Sequence, residues 1–511
     1  MKIFNREFWE VVLLVWGVIS FIGTLIWYLW RLCVKLKRNQ ERPVSNYNND
    51  NFARETIKYR FNDIISKIND TVSCETPFLF YKDFQDATVG TCNFNQHIAL
   101  QTSTVPANAD IMSFWMKKFE CLTTEKVSDF LTKAPFIDSE YLFYFYVLTK
   151  TYDLLSSDEK KQLLHPGYSS GQGRMMQFDP YKSEKLRMLD KDFMNDTEEK
   201  KEKKDSGHKS KIKDGLKLIC QLDGEMNDST WKNILCVIQD PLNILHSNLS
   251  SNSSDLSQMF WSKFDNVYPH IDESNKFWEE YCKDVGGKTV NIVVDNFGIE
   301  FLYDLVLGYY LKKKGAKKIV YHVKHIPMFV SDVVVDDQKV MLDRIETLVE
   351  NSNADYAQKE IYKTSLAHLK KMVTSEDVEF KPNYLWNMPF SFSEIASFSG
   401  KFENKESRKL IDDILSLFIG EDLLIVKGDL NYRRLVGDKL WNPRRKTLRN
   451  IKYIKCPLLV IRSYKSSVVM DCSKTDLVFM PKSYGSDWKT EGRVGSILYY
   501  KAQSRFRKCR R

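Results

Sequence analysis

Residues 289–315 read TVNIVVDNFGIEFLYDLVLGYYLKKKG, and this stretch decides the predicted fold. It opens on a β-branched run that predicts a short buried strand. Asp295 and Asn296 follow that run directly. The apolar segment behind them predicts a helix that ends at Gly315, because glycine commonly terminates helices. A strand that leads straight into a helix is the repeating unit of parallel α/β sheets.

Three further apolar runs end in polar or charged residues in the same way. They are AKKIVYHV at 316–323, DLLIVKGD at 422–429 and PLLVIRS at 457–463. Alternation of such strands with helices predicts a mainly parallel sheet that is covered by helices on both faces. Ligands of these sheets bind at the carboxyl ends of the strands, so the polar residues there are the candidates for a functional site.

The remainder of the chain divides by pattern into further segments. Apolar residues recur at helical spacing from about 56 to 190, and we predict a helical N-terminal domain over 56–285. Residues 286–500 are predicted to be an α/β metal- and phosphate-binding domain. The low-complexity charged run at 195–214 predicts a solvated loop insertion in the helical domain, and 501–511 a basic tail.

The beginning of the sequence predicts a transmembrane anchor at residues 8–30. The run Val11–Trp30 carries no charge, and at about 1.5 Å per residue it would reach roughly 30 Å, the thickness of a hydrocarbon core. A basic and Asn-rich tether, 31–55, follows, and its basic residues place the catalytic body in the cytosol by the positive-inside rule. A secretory signal peptide is the alternative, but its apolar region would be shorter and a cleavage site would follow.

The composition limits the class of protein. The 511 residues are 43% hydrophobic and 28% charged, which is globular and excludes a collagen-like or wholly disordered chain. The net charge of +9 suits a membrane surface, an anionic substrate or a mixed-sign soluble enzyme equally. We expect no nucleic-acid partner. The ten cysteines are scattered, as reduced thiols are, and no pair has zinc spacing.

Groups suited to a metal ion and a phosphate follow the four predicted strands. In order along the chain they are Asp295 and Asn296, then Lys324, Ser331 and Asp332, then Lys427, Asp429, Asn431 and Arg433, and finally Arg462 and Lys465. Asp and Asn oxygens are hard ligands for Mg²⁺ or Mn²⁺. Arg and Lys around such an ion would neutralise a phosphate.

Each of these residues alone has a commoner structural explanation. Asp295 could cap a helix, Asp429 and Asn431 could form turns, and Arg433 could belong to a surface ion pair. Convergence at four strand ends favours the functional interpretation.

Four segments together closely resemble the third subfamily of the damage-control phosphatase family, also described as acidic residue methyltransferase. They are VDNFGIEFLYDL at 294–305, HVKHIPMFVSD at 322–332, KGDLNYRRLVGD at 427–438 and RSYK at 462–465. The resemblance implies a metal-dependent phosphatase that hydrolyses sugar phosphates such as fructose 1-phosphate. It also implies a helical N-terminal domain followed by an α/β domain.

The resemblance assigns roles position by position. The implied metal ligands are Asp295, Asn296 and Asp332, with Mn²⁺ expected and Mg²⁺ or Ni²⁺ as alternatives. The implied substrate contacts are Asp295, Asn296, Asp429, Leu430, Asn431, Tyr432, Arg433 and Lys465. We add Lys324, Ser331 and Arg462 as candidate catalytic or phosphate-binding groups.

Two other functions stay open at this point. The first is S-adenosylmethionine-dependent methylation of protein glutamates, for which the resemblance implies a cofactor contact at Glu300. The second is a membrane-tethered pseudoenzyme, because Ser467 stands where the family usually has an acidic residue and a family glutamate near Phe145 is missing. Phe297 also replaces a small residue, and the Arg-Thr-x-Lys signature has serine at Ser463.

Overall fold

The computed structural model describes residues 44–71, 81–87, 111, 113–114, 126–153, 179–194, 210–223 and 267–501. Its centre is one seven-stranded sheet. The strands are β1 (Tyr268–Asp272), β2 (Thr289–Val293), β3 (Lys318–Lys324), β4 (Val378–Asn383), β5 (Leu423–Lys427), β6 (Leu458–Ser463) and β7 (Val494–Tyr500). The four strands that the sequence predicts are confirmed as β2, β3, β5 and β6.

The spatial order of the strands is β1-β7-β6-β5-β2-β3-β4. Every neighbouring pair is parallel except β6 and β7, which run antiparallel. The predicted mixed α/β fold with a mainly parallel sheet is therefore confirmed. The chain builds outward from β2 through β3 to β4 and later from β5 to β6 on the other side. A crevice forms where the strand order reverses, between β2 and β5.

Helices surround the sheet. Before β1 they are α1 (Asn51–Glu55), α2 (Phe61–Thr71), α3 (Tyr81–Asp86), α4 (Val127–Lys133), α5 (Phe136–Asp153), α6 (Lys182–Met194) and α7 (Lys211–Asp223). After β1 come α8 (Ser274–Glu280), α9 (Ile299–Lys313), α10 (Asp337–Glu350), α11 (Tyr356–Val373), α12 (Phe392–Ala396), α13 (Lys405–Leu415), α14 (Asp429–Val436) and α15 (Lys474–Tyr484). A π-helical turn, Thr56–Arg60, joins α1 to α2.

The two faces of the sheet bury two different hydrophobic clusters, because successive side chains of a strand point to opposite faces. Leu424 and Val426 of β5 belong to the cluster that includes Phe143 of α5. Leu423 and Ile425 belong to the cluster of α9, α10 and α11 on the other face. Residues from Ser45 onward form one compact unit, and the predicted division at residue 286 stays a prediction. Strand β1 precedes that position, and residues 211–214 of the predicted insertion begin α7.

The helix predicted after Asp295 is confirmed as α9. Gly298 precedes it with φ of 94° and Gly315 follows it with φ of 95°, both in the left-handed region that favours glycine. Most of α9 is buried, as a helix enclosed between a sheet and an outer helical layer must be. Its amino end lies at the edge of the sheet where β2 ends.

The prediction of a membrane-spanning helix is wrong as far as the structure describes the chain. Within those ranges, no helix combines the length with the apolar character that crossing a bilayer demands. Both 18-residue helices, α5 and α11, carry several charged side chains along their length. The segment proposed as the anchor, 8–30, lies outside the described residues, as does 31–43 of the tether. The predicted bilayer partner and cytosol-facing orientation depended on that anchor, and the described residues do not support them.

Candidate active site

A cavity opens at the carboxyl ends of the parallel strands, between the sheet and the N-terminal helices. Helices α1, α2 and α5 supply one wall, including Phe61, Glu140 and Tyr144. Most of the predicted site residues form the other wall: Asp295, Asn296, Ser331, Asp332, Asp429, Leu430, Arg433 and Lys465. Groups that are far apart in sequence thus meet because parallel strands end at a common edge.

Asn296 organises the floor of the cavity. It forms an isolated antiparallel bridge with Asp332, which fixes the loop after β2 against the loop after β3. The Ser331 hydroxyl donates to Asn296 Oδ1 at 2.7 Å. Asn296 Nδ2 donates to Asp295 Oδ2 at 3.1 Å and to Glu300 Oε2 at 2.9 Å. These bonds turn the amide nitrogen toward the carboxylates of Asp295 and Glu300 and the amide oxygen toward Ser331.

Asp332 is held by the backbone of its own loop. Its Oδ2 accepts hydrogen bonds from the N–H groups of Met328 at 3.0 Å and Phe329 at 2.8 Å. Its Oδ1 lies 3.9 Å from the Lys324 ammonium. Burial raises the pKa of Asp332, and the charge of Lys324 acts against that shift. The carboxylate is therefore fixed in one orientation near the buried Lys324 ammonium.

The donor set fits a hard divalent cation. Asp295, Asn296 and Asp332 together offer two carboxylates and an amide oxygen, which are ligands that Mg²⁺ and Mn²⁺ accept. Among the described residues, no group of three or more His, Cys, Asp or Glu side chains is placed to hold a metal. Gly428 leaves the space that Asp295 occupies, because an added Cβ there would lie 1.7 Å from Asp295 Oδ2.

Arg433 lines the cavity but its charge is already compensated. Its Nη1 donates to Glu140 Oε2 at 2.7 Å, and its Nε and Nη2 each donate to Asp438 at 3.0 Å. The guanidinium therefore clamps α5 against α14. The ion pair that the sequence allowed for at Arg433 is therefore not at the surface, because the Arg433 side chain is only 5% exposed.

Glu140 is a cavity residue that the sequence analysis missed. Burial raises its pKa to about 7, against the opposing effect of Arg433. The signal in the sequence is an acidic side chain inside the aromatic run FIDSEYLFYFY, which forms most of the buried part of α5. A carboxylate in such a position requires a partner or a function.

Arg462 lies beneath the cavity lining rather than in it. Its guanidinium stands 3.9 Å from the centre of the Tyr432 ring, and its Nη2 donates to the Val468 carbonyl at 2.9 Å. The same Nη2 lies 3.2 Å from Asp429 Oδ1. Arg462 thus supports Asp429 from behind, while Tyr432 packs against it and hydrogen-bonds Thr447 at 2.7 Å.

Asn431 and Lys324 also serve the framework of the site. Asn431 Nδ2 donates to the carbonyls of Val294 at 3.2 Å and Lys427 at 2.9 Å, which ties the ends of β2 and β5 together. Lys324 Nζ donates to the Trp386 carbonyl at 3.0 Å. Both side chains are buried.

Glu300 is enclosed under the site. Lys427 Nζ lies 3.7 Å from Glu300 Oε1 and 3.1 Å from Asp304 Oδ1, and all three side chains are fully buried. A carboxylate in this network is not exposed to a cavity that could hold a nucleoside. The methyltransferase alternative, which requires a cofactor contact at Glu300, is therefore not favoured.

Ser467 receives a carboxylate from another part of the chain. Its hydroxyl donates to Asp50 Oδ1 at 2.8 Å, just before α1. An acidic group thus lies near the Lys465 loop although Ser467 is itself neutral. Phe145, by contrast, is fully buried in the core.

The fold and the cavity define an α/β protein whose sheet edge gathers carboxylates, an amide and a lysine, as metal-assisted phosphate chemistry requires. A family model described as the damage-control phosphatase ARMT1-like domain matches residues 174–478, more than half of the chain. The chain belongs to this damage-control phosphatase family.

Several relatives are similar over part of the chain. The protein named damage-control phosphatase ARMT1 of Danio rerio is 25% identical over 238 residues, which cover 45% of this chain and 48% of that protein. Its counterpart in Rattus norvegicus is 28% identical over 215 residues, 41% and 43% of the two chains. The chain thus matches somewhat less than half the length of these relatives. A DUF89 family protein from Pyrococcus horikoshii covers 74% of this chain and 91% of its own, at 13% identity and a TM-score of 0.26.

Proposed function

We propose that this protein is a divalent-metal-dependent phosphatase that hydrolyses small phosphorylated sugars, of the fructose 1-phosphate type. The observation that carries the proposal is the meeting of Asp295, Asn296 and Asp332 with Lys465 in one cavity at the sheet edge. Membership of the damage-control phosphatase family supports the reaction class.

Asp295, Asn296 and Asp332 would hold the metal ion. A divalent cation bound there would supply the positive charge that polarises a phosphoryl oxygen. Mn²⁺ is the ion we favour, with Mg²⁺ and Ni²⁺ as alternatives. The Ser331–Asn296 bond at 2.7 Å and the two backbone donors to Asp332 keep these ligands oriented before substrate arrives.

Lys465 is the cation that we assign to the phosphoryl oxygens. Arg433 is a poorer candidate than its sequence position implied, because Glu140 and Asp438 already neutralise it. Asp429 lines the cavity, and Arg462 Nη2 holds its Oδ1 from behind at 3.2 Å. Its carboxylate is therefore placed to accept a hydrogen bond from a sugar hydroxyl. In the reaction a water oxygen bonds to phosphorus, the ester P–O bond breaks, and the sugar oxygen takes up a proton.

The test is phosphate release from fructose 1-phosphate by wild-type protein and by Asp332→Asn. Asparagine keeps the acceptor for the two backbone N–H groups but removes the charge. We expect EDTA to abolish phosphate release by the wild type and Mn²⁺ to restore it. Asp332→Asn should lower the rate of phosphate release by about 100-fold or more.

The matched control is Asp412→Asn, an exposed residue of α13, which should retain full activity. Hydrolysis that persists in EDTA would remove the metal from the mechanism. A well-folded wild-type protein that releases no phosphate with any of the three metals would favour the pseudoenzyme instead.

A further inference from the structure

A second cavity adjoins the candidate active site. The two cavities share Phe52, Thr56 and Arg60 as lining residues. The rest of the second lining is polar or aromatic and includes Tyr59, Ser467, Lys489 and Thr490. No part of the proposed phosphoryl chemistry uses it.

The shared wall is a π-helical turn, Thr56–Arg60. Such turns are rare and occur frequently at functional sites. Thr56 is 4% exposed, and its hydroxyl has no hydrogen-bond partner among the residues that the structure describes. A buried hydroxyl that borders two cavities and lacks a partner is available to a ligand that passes between them.

The second cavity is attached to the loop that carries Lys465. The backbone N–H of Ser466 donates to the Lys489 carbonyl at 3.1 Å, and the Ser467 hydroxyl donates to Asp50 Oδ1 at 2.8 Å. Lys465 lines the first cavity, and Ser467, two residues later, lines the second. One loop, which is hydrogen-bonded at Ser466 and Ser467, therefore forms part of both cavities.

The lining indicates the chemistry of the ligand. Glu55, Asp487 and Glu491 stand beside the cations Arg60 and Lys489, so a second phosphate would meet carboxylates as well as cations. Hydroxyl and amide groups, by contrast, suit a polyhydroxylated neutral group. Tyr59 is 55% exposed and offers an aromatic surface for a sugar ring.

We infer that the second cavity binds a further sugar unit of the leaving group, so that the substrate is a phosphorylated disaccharide or longer glycoside. This inference rests on the proposed phosphatase function. The phosphoryl group lies at Lys465, the first sugar at Asp429, and the second sugar beyond Thr56 against Tyr59. The bond broken is still the ester P–O bond, and the whole glycoside leaves as an alcohol.

The experiment compares glucose 6-phosphate with trehalose 6-phosphate, which carries one more glucosyl unit. Phosphate release gives kcat/KM for each, in wild type, in Tyr59→Ala and in Tyr356→Ala. Tyr356 is the matched control, an 80% exposed tyrosine on α11. We expect wild type to prefer trehalose 6-phosphate, Tyr59→Ala to lower that preference by about three- to tenfold, and Tyr356→Ala to preserve it.

Calorimetric binding of trehalose 6-phosphate to the same three proteins separates this inference from the phosphatase proposal. If phosphate is released from both sugars and Tyr59→Ala changes neither the preference nor the affinity, the subsite is refuted while the phosphatase stands. If no phosphate is released but Tyr59→Ala weakens binding and Tyr356→Ala does not, the subsite stands and the phosphatase fails. If trehalose 6-phosphate does not bind to the wild type, the subsite is refuted.

Discussion

Replacing Gly428 with alanine should destroy the candidate active site while leaving the fold in place. Gly428 lies between β5 and α14 with φ of 85° and ψ of 162°. A Cβ at this position would lie 1.7 Å from Asp295 Oδ2 and 2.3 Å from its Cγ. The glycine is therefore required by the proposed metal ligand that packs against it.

The magnitude follows from the contact distance. Carbon and oxygen atoms in contact lie about 3.5 Å apart, so the Asp295 carboxylate must move by roughly 1.8 Å. A displacement of about 1 Å at a reacting centre can lower the rate by about 100-fold. Alanine in this backbone conformation adds a strain of about 1–3 kcal/mol.

Gly485 separates the strain from the collision. It follows α15 with φ of 85° and ψ of 171°, nearly the same conformation, and no atom lies within 4 Å of its added Cβ. We expect Gly428→Ala and Gly485→Ala both to lower the melting temperature through the same backbone strain, and Gly428→Ala to lower it further because its Cβ also displaces Asp295. Only Gly428→Ala should fail to bind Mn²⁺ in calorimetry. Its rate of phosphate release should also be lower than that of the wild type by about 100-fold or more. Equal activities in the two variants would refute the assignment of Asp295.

Two further predictions concern stability. Because burial raises the pKa of Glu140 to about 7, the folded state binds this proton more tightly than the unfolded state, and the resulting stability is lost as pH rises from about 4.5 through 7. Urea titrations give the unfolding free energy of the wild type minus that of Glu140→Gln. This difference should fall by up to about 3 kcal/mol between about pH 4.5 and pH 8. A difference that rises with pH would contradict the raised pKa of Glu140. Arg434 is fully buried and donates to the carbonyls of Phe390, Trp386 and Leu385 at 3.0, 3.2 and 2.7 Å. Arg434→Met should lower the unfolding free energy by about 3–5 kcal/mol. The control Arg408→Met, at an exposed position, should leave the unfolding free energy unchanged. Equal effects of the two substitutions would show that the three hydrogen bonds of Arg434 contribute little.

The four strands that the sequence predicts are buried along nearly their whole length. Leu423–Lys427 and Leu458–Ser463 are continuous apolar runs because helices cover both sides of the inner sheet. Strands β1 and β4 were not predicted from the sequence. They lie at the two edges of the sheet and mix apolar residues with Pro, His, Lys and Asp. Their strand character depends on a neighbour far away in sequence, which local patterns do not reveal.

The candidate site was predictable where its polar and charged residues directly follow the end of a strand. Asp295, Asn296, Asp332 and Lys465 meet in the cavity because the parallel topology brings these ends together. The sequence could not distinguish side chains that line the cavity from side chains that support it. Arg462 and Asn431 also follow strand ends, but both are buried beneath the cavity lining. Glu140 was missed because its helix reaches the sheet only through tertiary packing.

The position of β7 in the sheet governs the order in which the protein can be assembled during synthesis. This strand is the last of the seven to be translated, yet it lies between β1 and β6. Tyr268 pairs with Val494, and the Tyr464 N–H beside Lys465 donates to the Val494 carbonyl at 2.7 Å. Until residues 494–500 leave the ribosome, β6 keeps an open edge and β1 has no partner, and open edges recruit other chains. The nascent sheet is therefore exposed to aggregation for as long as its final strand is still to be made.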